Sequence, residues 1–174
     1  SFSDIVGKQG KVYAFEPLES NLKWLKNNST LCKYSNIKIF SSAISDTNGF
    51  IEFIPPSDSH MTGIGSINLT GTKHVNTIKV QTRKLDDFIN EFQNICCIFT
   101  DIEGADLLAI SGAHKVINRF RPIIVIEYSP KLMKNFGYGQ DEITDKMNRL
   151  NYRCFKIGKL GIKKIKTNET KKSN

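Results

Sequence analysis

The stretch Cys96-Cys97-Ile98-Phe99-Thr100-Asp101-Ile102-Glu103-Gly104-Ala105-Asp106 decides the fold. Cys96 to Thr100 is apolar and strand-like, Asp101 to Gly104 reads as a turn, and Ala105 to Asn118 is spaced as a helix. Arg121-Pro122 stops that helix, because proline has no N–H to continue it. Ile123-Ile124-Val125-Ile126 then reads as a strand apolar on both faces, as in parallel sheets covered by helices on each side.

The same alternation extends in both directions. Upstream, Lys11 to Phe15 predicts a buried strand ending at Glu16-Pro17, followed by a helix with Leu18, Leu22 and Leu25 on one face. Ile37 to Phe40, Phe50 to Ile54 and Val75 to Thr82 predict further strands, with a turn at Asp46-Thr47-Asn48-Gly49 before the second of these. Leu85, Phe88, Ile89 and Phe92 give one face of a short helix. Downstream, Ile143, Met147 and Leu150 line a helix over Asp141 to Leu150, with strands near Tyr152 to Ile157 and Gly161 to Ile165. The pattern is α/β with a doubly wound sheet.

At 174 residues, with 39% hydrophobic and 24% charged side chains, the chain is long enough for one substantial core. We expect a domain over 1–157 and a basic C-terminal strand and tail over 158–174. Lys156 to Asn174 carries seven lysines and one acid, and so contributes +6 of the net charge of +8. The nearly balanced remainder lacks the basic, aromatic-studded face of a nucleic-acid reader, so no nucleic-acid partner is expected. No apolar run approaches the roughly 18 to 20 residues of a membrane span, and Ser1 to Gly10 has no apolar signal-like core. Four irregularly spaced cysteines without a CxxC pair predict a reduced, cytoplasmic setting rather than a disulfide scaffold. Cys96 and Cys97 are expected in the core. The three histidines have no metal-ligand spacing, and no metal is expected.

Three apolar runs end in acids: Glu16, Asp101 and Glu127. In an open parallel sheet the carboxyl ends of the strands share one rim where ligands bind. Each acid also has a plainer reading, as a helix cap or a solvated group. Glu16, before a helix, suits the hydroxyls of a ribose. A carboxylate at Asp101 can complement a cation, hold a metal or take a proton from a hydroxyl. Glu103, near the start of the next helix, is a cap or a substrate contact, and Glu127 is the weakest member of the set.

Lys11-Val-Tyr-Ala-Phe-Glu-Pro, Ser42-Ala-Ile-Ser-Asp followed by Gly49, Lys84-Leu-Asp-Asp-Phe, Asp101-Ile-Glu-Gly-Ala-Asp and Arg121-Pro-Ile-Ile-Val-Ile-Glu occur in that order. Together they resemble the FkbM-type family of S-adenosylmethionine-dependent methyltransferases, over about Gly10 to Glu127. The resemblance implies a Rossmann-like sheet of the class I methyltransferase type and O-methylation of a hydroxyl on a sugar, glycan or small metabolite. It also implies S-adenosylmethionine as cofactor, with Glu16 on the ribose hydroxyls beside Pro17. Ser42, Ala43 and Ile44 would lie near the adenine. Asp101 would sit by the methyl-bearing sulfur or the acceptor, and Glu103 shares its catalytic turn.

Two positions depart from the family. Thr100 stands where relatives usually carry lysine, which removes a cation from the rim. Relatives also have a first strand and a Gly-rich turn ahead of the point where this chain begins. Ser1 to Gly7 reads as the tail of the helix after that turn, so we expect an N-terminally truncated domain prone to self-association. Gly63-Ile-Gly65 does not replace the turn, since it neither follows a strand nor opens a helix, and His60 lies in the same variable loop. The alternatives are a nicotinamide-dependent oxidoreductase, disfavoured by the lack of GxGxxG, and a non-catalytic binding domain.

Overall fold

The computed structural model describes residues 1–54, 66–67, 77–159 and 161–165. In chain order the elements are helix α1 (Phe2–Val6), strand β1 (Val12–Phe15), helix α2 (Glu19–Thr30), and strands β2 (Ile37–Phe40), β3 (Ala43–Ile44), β4 (Gly49–Ile54), β5 (Ser66–Ile67) and β6 (Ile78–Arg83). A 3₁₀ helix (Leu85–Glu91) leads to β7 (Cys97–Thr100), α3 (Asp106–Ser111), α4 (His114–Phe120) and β8 (Ile123–Ile126). Helices α5 (Pro130–Asn135) and α6 (Gln140–Arg149) and strands β9 (Phe155–Gly158) and β10 (Gly161–Lys164) follow. The fold is mixed α/β. Its elements cluster into two compact units, one of Ser1–Phe99 with Leu108–Val125, the other of Thr100–Leu107 with the chain from Ile126 onward.

In the first unit β1 and β2 are parallel, with Val12 opposite Ile37 and Phe15 opposite Phe40. That register stacks the Phe15 and Phe40 rings at 4.8 Å, and Phe88 from the 3₁₀ helix meets both edge-on at 5.0 and 4.8 Å. The Arg83 guanidinium covers the Phe88 ring at 4.3 Å. Strands β3, β6, β4 and β5 form a separate four-stranded sheet in that order, in which only β3 and β6 run parallel. Buried Leu18 and Leu22 anchor α2, while Leu85, Phe88 and Phe92 from the 3₁₀ segment join Val116 and Ile117 of α4 in the core. The expected strand over Val75 to Thr82 is observed as β6 from Ile78, Val75 lying outside the described residues.

The long helix expected over Ala105 to Asn118 is instead two helices, interrupted at Gly112 and Ala113. Gly112 still donates to Leu108 O at 3.0 Å, and the Ser45 backbone comes so close to it that no Cβ would fit. Ala113, at the cap of α4, has no side chain to satisfy the helix N–H groups. Asp86 does so from the 3₁₀ helix, accepting from Lys115 N at 3.0 Å and Val116 N at 2.9 Å.

Among the described residues strand β7 pairs with β8 alone, and the bonds Ile123 N to Cys96 O and Glu127 N to Thr100 O climb both strands in the same direction, making them parallel. Cys96 and Cys97 are exposed, correcting the expectation of a core position. Phe99 is 56% and Ile123 70% exposed. Apolar sequence marked the strand here, but burial depends on whether another element covers the face, which strand patterning does not encode. The described strands therefore make four separate sheets rather than one continuous doubly wound sheet, with β9 and β10 an antiparallel hairpin.

In the second unit Met133 of α5 and Ile143, Met147 and Leu150 along one side of α6 are buried with Ala105 and Tyr138.

The cap from Asp86 generates a stability prediction. Asp86→Ala should lower unfolding free energy by about 1 kcal/mol, and Asp86→Asn by less, as read from urea midpoints at constant slope.

Candidate functional site

Glu16 follows β1 immediately, and its N–H donates to Phe40 O at 3.1 Å, fixing it beside the end of β2. Its Oε1 accepts the Leu18 N–H at 2.7 Å, and its Oε2 accepts from the Asn21 amide at 3.3 Å. The capping role left open by the sequence is thus filled at the start of α2. It does not exhaust the carboxylate, because each oxygen can accept more than one hydrogen bond. Pro17 next to it is half-buried. Two residues past the end of β2, Ser42 is buried and its Oγ has no hydrogen-bond partner. Ala43 and Ile44 form β3, opposite Thr82 and Arg83, and are half-buried. The bond to Phe40 O thus places Glu16 beside the end of β2, which the Ser42-Ala43-Ile44 segment follows in the chain.

The second unit holds the acids after β7 and β8. The bond from Glu127 N to Thr100 O, 3.1 Å, places Glu127 and Asp101 as neighbours just past paired strand ends. Asp101 is exposed and Glu103 half-buried. Thr100 Oγ1 donates to Asp106 Oδ1 at 2.6 Å, tying the last residue of β7 to the first of α3. The residue at the family's usual lysine position thus serves as a neutral donor inside the chain. Between them, Glu103 adopts a left-handed conformation at φ 54° and Gly104 follows at φ 91°. A non-glycine residue held there costs roughly 1–3 kcal/mol, so surrounding contacts must enforce it. Gly104 is obligatory in a second sense, since a Cβ would fall 2.6 Å from the Leu132 backbone.

Tyr138, between α5 and α6, enforces the other side of the turn. Its buried hydroxyl donates to the Gly104 carbonyl and accepts the Leu107 N–H at 3.2 Å. Burial pushes the phenol pKa up, so the group stays a protonated donor.

Charge at this end of β7 is one-sided. Asp101, Glu103, Asp106 and Glu127 have no ion-pair partner among the described residues. Asp106 is fully buried with Oδ2 unpartnered, and Glu127 Oε2 is likewise buried and unpartnered. Burial raises the Asp106 pKa, the Thr100 hydroxyl opposes that, and the Asp101 charge adds to it. Burial also raises Glu127, reinforced by the charges of Asp101, Glu103 and Asp106 and by a hydrogen bond to the Asp101 carboxyl. Among the described residues no group of three or more His, Cys, Asp or Glu has metal-holding geometry.

Sequence reading names Glu16, Asp101, Glu103 and the Ser42 segment as candidates and ranks Glu127 below them. It missed the Thr100–Asp106 bond and Tyr138. The signal available for Tyr138 was its place between two glycines, Gly137 and Gly139, in a segment between helices. His60 and Gly63-Ile-Gly65 lie outside the described residues.

A family model described as the methyltransferase FkbM domain matches residues 1–154. The chain is similar to the 2-O-methyltransferase NoeI of Sinorhizobium fredii, 27% identical over 140 residues that cover 70% of this chain and 54% of that protein. Its fold resembles the crystal structure of methyltransferase FkbM from Methylobacillus flagellatus KT, with a TM-score of 0.54 and 20% identity, over 83% of this chain and 32% of that one. The chain therefore spans about half the length of the curated relative and about a third of the solved one.

The raised carboxyls dictate a pH dependence. An acid whose pKa is higher folded than unfolded favours the fold at low pH, and that contribution is lost as pH climbs through the folded value. Asp106→Asn should therefore gain stability relative to the parent as pH rises from roughly 4 to 7. Urea unfolding of both proteins across that range checks it, and a constant difference would contradict it.

Proposed function

This chain belongs to the methyltransferase FkbM domain family, and from that premise we propose that it carries out S-adenosylmethionine-dependent O-methylation of a hydroxyl on a sugar or other small metabolite. The observation that carries this reading is the exposed Asp101 carboxylate just past β7, next to a Glu127 whose surroundings favour its protonated form. The described name of the similar S. fredii protein, a 2-O-methyltransferase, supports oxygen as the receiving atom.

The residues present fit the cofactor. Glu16 retains acceptor capacity for a pair of ribose hydroxyls, and the orphaned Ser42 Oγ lacks only a polar partner of the kind an adenine ring offers. Pro17, Ala43 and Ile44 supply apolar contact for a flat base. When bound, S-adenosylmethionine supplies an activated methyl group. Asp101 accepts the proton of the acceptor hydroxyl, and Glu103 on the same turn orients that hydroxyl by hydrogen bonding. Glu127, its pKa raised by burial and by the neighbouring acids, lies beside Asp101 past the paired ends of β7 and β8.

The finer reading of the sheet, Rossmann-like and doubly wound, is part of the same proposal. Supporting it, neither β1 nor β7 has a second neighbour among the described strands, although both run parallel to the partner each has.

Calorimetric titration with S-adenosylhomocysteine tests the assignment. Glu16→Ala removes charge-assisted hydrogen bonds and should weaken binding by about 10- to 100-fold. Asp101→Ala should leave that affinity within about threefold and lower turnover by at least about 100-fold. If both variants bind and turn over as the parent does, the site is elsewhere.

A further inference from the structure

We propose that Tyr138 is a positioning residue for methyl transfer, its buried hydroxyl clamping the Asp101–Gly104 turn so that Asp101 and Glu103 keep their places at the end of β7. The inference rests on the reading of those two acids as the transfer site. The turn is left-handed at Glu103 and Gly104, a conformation a non-glycine residue does not keep unaided. Leu132 of α5 closes one side of Gly104 with its backbone. Tyr138 closes the other by donating to the Gly104 carbonyl while accepting the Leu107 N–H. One hydroxyl therefore joins the end of the turn to the first residues of α3, across 34 and 31 positions of sequence. Thr100 completes the frame by holding Asp106 from the strand side. Asp101 is exposed and directly precedes the turn, so the frame that holds the turn also sets the backbone at Asp101.

Tyr138→Phe keeps the ring and deletes the clamp. With Asp101 and Glu103 free to shift, kcat should fall about tenfold or more, while acceptor KM and S-adenosylhomocysteine affinity stay within about twofold. Amide exchange at Leu107 should accelerate about tenfold, with Tm little changed. A kcat within about twofold of the parent overturns the proposal, as does a loss of kcat that merely tracks a loss of folded protein. If the parent transfers no methyl group, the functional reading fails, and the exchange measurement still decides the clamp. Unchanged Leu107 exchange in Tyr138→Phe overturns it on that ground alone.

Discussion

The hydrogen bond from Thr100 Oγ1 to Asp106 Oδ1 joins the last residue of a strand to the first residue of the next helix, and the site's geometry depends on it. A carboxyl buried without a cation is costly, and here one oxygen is satisfied while the other is not. Burial raises the pKa of Asp106, and burial first, then the charges of Asp101, Glu103 and Asp106, raises Glu127. A hydroxyl at position 100 suits that arrangement, because a neutral donor secures the helix start without neutralising the acids around it.

The strand ends were legible because two periodicities and a few breakers describe them. Val12–Phe15 and Ile37–Phe40 are short apolar runs, Pro122 stops a helix, and each expected strand lies within a few residues of an observed one. The departures trace to contacts between distant segments. Helical spacing continues through Gly112, where two helices meet and the Ser45 backbone leaves room only for glycine. Cys96 and Cys97 looked like core residues, but both are exposed. Tyr138 was invisible for the same reason, since its partner at Gly104 is 34 positions away.

At Glu16 the capping contacts leave acceptor capacity on the carboxylate. Its two oxygens hold the start of α2 and keep lone pairs to spare, so the acid is oriented before any ligand arrives. The orphaned Ser42 hydroxyl follows a parallel logic, as a buried polar atom whose cost a ligand would remove. Preorganised groups of this kind favour binding by reducing what must be ordered when the ligand docks.

The most direct test is to incubate the chain with S-adenosylmethionine bearing a trideuterated methyl group and a panel of oligosaccharides and polyols, then locate the label by mass spectrometry. The label is predicted in a methyl ether on a single acceptor hydroxyl. Recovery of the label on nitrogen or carbon, or no labelled ether at saturating cofactor across the panel, would contradict O-methyl transfer.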